Sequence, residues 1–191
     1  MILKTPALGL LAVLCLSACG STPPALHYTL DEGAASTPPQ GTSPAIVIVH
    51  SSLPDEVDRP QLIVRQRGQP ITIDEARRWA EPLRRGIPRA LAADLGRILD
   101  SSRVIALPAD AQRFDADFRL FLDVQRFDAV AGHGADVDIV WRFEPREGKP
   151  LIGRSTVHEA ATGTSPDRLV AALRRALRLV AGEMAMSLRR P

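Results

Sequence analysis

Cysteine is nearly absent from this 191-residue chain, and the two it has, Cys15 and Cys19, both lie at its start. No residue from Gly20 to Pro191 carries a thiol, which excludes a disulfide scaffold and a cysteine-based metal centre from that stretch. Aromatic residues make up only 4% of the chain, too few for the stacking platforms that hold bases or sugars. A strong charge of either sign is missing too: the formal net charge is +2, without the electrostatic footprint of a nucleic-acid binder. No apolar run reaches the roughly 20 residues that a membrane-spanning helix needs. There is no GxSxG elbow and no glycine-rich phosphate loop. The four histidines, His27, His50, His133 and His158, show no metal-ligand spacing along the chain. These absences lead to an expectation of no catalytic residue, no cofactor and no metal.

What is present begins with the two cysteines. Met1 to Lys4 carries one positive charge, and residues 6–18, PALGLLAVLCLSA, are apolar and small. That order is the one found in a secretory signal. Leu16-Ser17-Ala18-Cys19 resembles the lipobox of bacterial lipoproteins, in which the cysteine sulfur takes a diacylglycerol and becomes the first mature residue. On this reading residues 1–18 are a removed signal peptide, Cys19 is the lipidated residue, residues 19–25 are a tether and 26–191 form the domain. Gly20 follows the cysteine, where lipoproteins retained at the inner membrane resemble one another in carrying aspartate; the resemblance therefore implies the outer membrane.

After removal of residues 1–18 the chain is long enough for one domain with a real core. AIVIVH (45–50) reads as a buried strand, QLIVRQ (61–66) as another, and residues 70–73 as a short third. Leu26 to Leu30 and Arg103 to Ile105 read as further short strands. A helix is expected over 82–99, with Ala80, Leu83, Ile87, Leu91, Leu95 and Ile98 on its apolar stripe. Pro88 inside it implies a kink or a late start. In 117–127, Phe118, Leu120, Leu122 and Val124 alternate with polar residues; in 135–144 the inward set is Val137, Ile139, Trp141 and Phe143. Gly132-His133-Gly134 is the hairpin loop between them. A third long strand spans 150–160, and a closing helix runs from Pro166 to Leu188 behind Ser165 as N-cap. The expected fold is α+β: a single domain with a mainly antiparallel, mixed sheet and two main helices packed on one face.

Residues 53–83 read LPDEVDRPQLIVRQRGQPITIDEARRWAEPL. Asp58-Arg59-Pro60-Gln61 together with Trp79-Ala80-Glu81-Pro82-Leu83, and Tyr28-Thr29-Leu30 upstream, resemble the PqiC-like family of ABC-transport auxiliary lipoproteins. The likeness extends through both helices and the long strands, nearly the whole mature chain. It implies a periplasm-facing, outer-membrane lipoprotein that works with an Mce-domain protein and inner-membrane components moving lipid across the envelope. It implies an accessory, non-catalytic docking piece, with self-association into a homo-oligomer as a further implication. The alternative is a stand-alone lipid carrier with its own apolar cavity; a third reading is a periplasmic hydrolase, for which no nucleophile–base arrangement is visible.

Read without the family, Asp58 to Gln61 is either a turn that seats a strand or a partner contact. Trp79 is either core or interface. Arg59, Pro60 and Trp79 are therefore the candidate partner contacts. His158 and Glu159 are neighbours on a strand and point to opposite faces, so they do not share an ion readily. Asp136 and Asp138 share a face at about 6.6 Å, a spacing that two catalytic carboxylates also use, but a solvated face accounts for them without an aromatic sugar platform nearby. Six arginines lie in 167–191 against two acids, and eight acids in 115–147 against four arginines. This asymmetry reads as solvated faces, or as a basic surface for anionic headgroups and complementary faces for self-association.

Overall fold

In the computed structural model, the described residues are 24–30, 38–71, 73–106 and 113–189. They comprise eight strands and two helices: β1 (Leu26–Tyr28), β2 (Ile46–Ser52), β3 (Val64–Arg65), β4 (Arg77–Trp79), α1 (Leu83–Leu99), β5 (Val104–Ala106), β6 (Phe118–Val130), β7 (Gly134–Pro145), β8 (Leu151–Ala160) and α2 (Pro166–Leu188). The main sheet has the order β5-β2-β6-β7-β8, with β3 added beside β6. β6, β7 and β8 form an antiparallel meander, while β2 runs parallel to both β5 and β6. The fold is thus α+β with a mixed sheet. The parallel pair β2–β5 exists because α1 supplies the crossover that parallel strands require.

Strand alternation decides which face the helices cover. Val137, Ile139, Trp141 and Phe143 of β7 are all at most 5% exposed. They meet Leu169, Leu173, Leu177 and Val180 of α2, and Ile87, Leu91 and Leu95 of α1, in one core. Burying a side chain of this size stabilises by about 1.5–3 kcal/mol, and the three- to four-residue spacing along each helix aligns these side chains on one stripe. β6 needs a correction of phase. The alternation Phe118, Leu120, Leu122, Val124 would continue to Arg126, but the register shifts between Val124 and Arg126. The bulge brings Phe127 and Ala129 inward instead, and the strand runs on to Val130.

Four other expectations change. The strand expected over 61–66 shrinks to Val64–Arg65, because Leu62 pairs away from the main sheet, donating its N–H to Arg77 O at 2.8 Å. No strand forms at 70, 71 or 73; residue 72 lies outside the described residues. Ala80, expected on the helical stripe, is exposed and precedes α1. Pro88 does not delay α1, which starts at Leu83 and continues through it. The helix gives up one backbone bond there, from the position that proline cannot donate.

Gly153 marks the tightest approach on β8. It lies opposite Trp141 in the β7–β8 register, and a Cβ at this position would land inside the Trp141 indole. The indole N–H donates to Ser155 Oγ at 3.1 Å, and Ser155 is 1% exposed. Gly153→Ala is therefore expected to lower stability by about 1–3 kcal/mol, the usual range for overpacking. Thermal unfolding of the variant beside the parent checks this, and an unchanged Tm would contradict the packing argument.

Candidate functional site

The signature-bearing segment 53–83 builds a small lobe against one edge of the main sheet. Its first turn closes with the N–H groups of Val57 and Asp58 donating to Pro54 O, both at 3.1 Å. The chain then passes Arg59 and Pro60 and lies antiparallel to β4 at the bridge Gln61–Arg78. Trp79 N–H donates to Pro60 O at 2.7 Å. On its other side β4 pairs in parallel with β1, and Ala80 N–H donates to Tyr28 O at 2.7 Å. The two signature blocks and Tyr28 are thus three layers of one hydrogen-bonded patch.

Side chains reinforce it. Asp58, 14% exposed at its side chain, pairs with Arg84 in the first turns of α1. Gln61 Nε2 donates to Glu75 at 2.9 and 3.0 Å, and Asp74 pairs with Arg77. Arg65 bridges Glu56 at 2.6 Å and Asp128 of β6 at 2.8 Å, fastening the lobe to the sheet. Tyr28 stands between Arg77 of β4 and Asp167 at the start of α2; burial first, and then the Asp167 carboxylate, push its phenol above the ordinary value. Arg174 of α2 donates to Thr29 O at 2.5 and 3.0 Å. Most of the signature therefore serves to hold the lobe together. The Asp58–Arg84 pair joins residues 26 apart in sequence, a separation at which no local pattern announces a partner.

The candidate contacts occupy different depths. Trp79 is 7% exposed and lies in the core, its ring 6.4 Å from that of Phe127. Pro60 is exposed and Arg59 half-buried. Arg59 Nε is buried and has no hydrogen-bond partner, a condition that costs about 1–3 kcal/mol. The lobe also displays Leu26, Ile71 and Ile73 at 57%, 40% and 44% exposure, three of the seven exposed large hydrophobics among the described residues. Cys19, the expected lipidation site, lies outside the described residues, as do residues 20–23.

The charge asymmetry is largely spent inside the molecule. Of the arginines in and just after α2, Arg168 donates to Thr162, Arg175 to Glu159, and Arg189 to Ile98 O; Arg178 lies 3.9 Å from the buried Asp94 of α1. Arg190 lies outside the described residues. The acids are engaged likewise. Asp138 accepts from Arg154 at 2.8 and 2.5 Å, and those hydrogen bonds hold its carboxyl below the ordinary range. Asp136 accepts from His158 instead, so the two aspartates share a face but not a partner. His158 and Glu159 do point to opposite faces, the first to Asp136 and the second to Arg175.

The model of the family described as ABC-type transport auxiliary lipoprotein component matches residues 28–185. The chain belongs to this family. The matched span takes in β2 to β8 and α1, and ends inside α2. Two solved structures share the fold. One, a crystal structure of an uncharacterized protein, superposes with a TM-score of 0.68 at 15% identity, over 86% of this chain and 99% of that one. The other, a Xanthomonas campestris protein of the DUF330 family, gives 0.55 at 18% identity, over 86% of this chain and 85% of that one. No curated protein matches the chain. Among the described residues no helix of this auxiliary lipoprotein is long and apolar enough to cross a membrane.

Proposed function

We propose that this auxiliary lipoprotein is a docking subunit, non-catalytic and anchored by lipid at Cys19 in the outer membrane, for an Mce-type ABC system that moves lipid across the envelope. The observation that carries docking over carriage is the filled interior. Between the helices and the sheet, Ile87, Leu91, Leu95, Leu120, Ile139, Phe143, Leu169, Leu173 and Leu177 are 0–1% exposed, which leaves no room there for an acyl chain at native packing density. The work of the domain therefore falls to its surface.

The lobe is the surface this reading selects. Its rim holds exposed Pro60, Ile71 and Ile73 and the half-buried Arg59, a residue type whose guanidinium donates readily to a partner carbonyl or carboxylate. The tether, residues 19–25, spans at most about 25 Å, which keeps the lobe near the membrane surface. Family membership supports association with an ABC-type transporter; the Mce-domain protein as the direct contact rests on the likeness of the 53–83 segment.

Site-specific photocrosslinking in native membranes tests this. Probes at Ile71 and Ile73 are expected to capture the Mce-domain protein, and a probe at Leu179 on the exposed side of α2 is not. Arg59→Met keeps the aliphatic stem and is expected to reduce the crosslink several-fold with Tm retained. A protein that yields no partner at any probe and purifies with stoichiometric phospholipid would overturn docking in favour of the carrier.

A further inference from the structure

The outer face of the sheet, away from the helices and beside the lobe, gathers two imidazoles and a carboxylate that sequence spacing keeps apart. The β7–β8 register sets Asp136 directly opposite His158. The turn between β6 and β7 brings the third group. His133 N–H closes that turn by donating to Val130 O at 3.0 Å, and Gly132 and Gly134 follow it through positive φ of 70° and 131°. At Gly134 a Cβ would collide with Glu159 O, so only glycine lets the turn sit this close to the end of β8. His133 is thereby laid over His158, with ring centroids 4.2 Å apart.

We propose that His133, Asp136 and His158 form a zinc-binding site that clamps the β6–β7 turn to the edge strand β8. One ligand atom from each residue lies within 4.8 Å of the others. Asp136 Oδ1 is 2.8 Å from His158 Nδ1, and Asp136 Oδ2 is 3.6 Å from His133 Nε2. Ligands at 2.0–2.1 Å from a tetrahedral Zn²⁺ lie about 3.3 Å apart, a value between these two separations, which Asp136 makes with its two different oxygens. Two neutral imidazoles and one carboxylate, without a thiolate, suit Zn²⁺ and its divalent neighbours and not Ca²⁺ or Mg²⁺. The side chains are 30%, 26% and 44% exposed, which leaves the fourth position to water.

One neighbour opposes the ion. Arg67 Nη2 lies 2.8 Å from His133 Nδ1 and 3.4 Å from Nε2. A guanidinium only donates and always carries its charge, so it stands as a cation beside both nitrogens of the ring. Zn²⁺ bound to His133 would meet that charge at close range and repel it. Zn²⁺ and Arg67 thus compete for His133. Occupancy by the ion frees Arg67 from the sheet, while the neighbouring Arg65 keeps its pairs with Glu56 and Asp128. This coupling does not depend on the docking partner.

The test uses the untagged full chain in detergent, stripped with EDTA and titrated with ZnCl₂ by calorimetry. The parent is expected to bind one Zn²⁺ per chain and to gain thermal stability from it. His133→Asn and His158→Asn are each expected to lose more affinity than the roughly 10–100-fold that follows loss of an outer partner of a metal ligand. Arg67→Gln is expected to bind more tightly than the parent. A readout without substitution comes from imidazole nitrogen NMR, where Zn²⁺ is expected to shift the His133 and His158 signals and leave those of His27 and His50 in place. No saturable binding by the parent, or equal binding by a His133→Asn/His158→Asn double variant, overturns the site.

Discussion

Trp79→Ala is expected to destabilise the domain by about 3–5 kcal/mol, the range for emptying a buried tryptophan site. The residue is 7% exposed, touches Phe127, and shares its surroundings with Leu62, Leu83 and Leu173. Its backbone also joins the two signature blocks through the bond to Pro60 O. A loss of this size is a large part of the 5–15 kcal/mol that holds a typical domain together. Urea unfolding followed by circular dichroism measures it, with the midpoint lowered and the slope unchanged. A surface contact would behave differently: truncation there changes stability by about 0.5 kcal/mol or less. An outcome in that range would move Trp79 from the core to the interface and weaken the account of the lobe.

Cys19→Ser has the second large effect, on location and not on folding. The variant is expected to leave the membrane fraction entirely, with its unfolding transition unchanged. The physical reason is the size of the anchor. Each buried CH₂ contributes about 0.8 kcal/mol, a single acyl chain holds a protein only marginally, and two or more hold it firmly. Without the thiol none can be attached at this position, and the described residues offer no helix able to cross a bilayer in its place. Fractionation of membranes with sucrose-gradient separation measures both the loss and, for the parent, which of the two membranes carries it. A Cys19→Ser protein still held in the membrane fraction at high salt would show that another part of the chain anchors it.

Much of the fold was legible because it rests on short-range periodicities. The stripe Leu169, Leu173, Leu177, Val180 and Met184 marks α2 whatever it packs on, and all five are buried. The alternation of Val137, Ile139, Trp141 and Phe143 marks β7 in the same way. β4 was not legible: Arg77 and Arg78 have no strand-like alternation, and their pairing comes from β1 on one side and Gln61 on the other. QLIVRQ looked like a strand because Leu62 and Ile63 are apolar, yet both are buried without joining the ladder, and only Val64 and Arg65 pair with β6.

The candidate site divides along the same line. The linear order of a charged start, an apolar run and Leu16-Ser17-Ala18-Cys19, on which the proposed lipid anchor rests, needs no folding, and the sequence alone carries it. The same holds for the signature around Asp58–Gln61 and Trp79–Leu83, which was enough to place the chain in its family. Only the tertiary structure decided what those residues do: that Trp79 fills the core, that Asp58 holds Arg84, and that Arg59 Nε is left without a partner. It also decided that His133, Asp136 and His158 meet, since their meeting depends on one strand register and one glycine-bearing turn. Contacts of this kind arise from loop closure over tens of residues, and neither composition nor spacing encodes which side chains a closed loop will bring face to face.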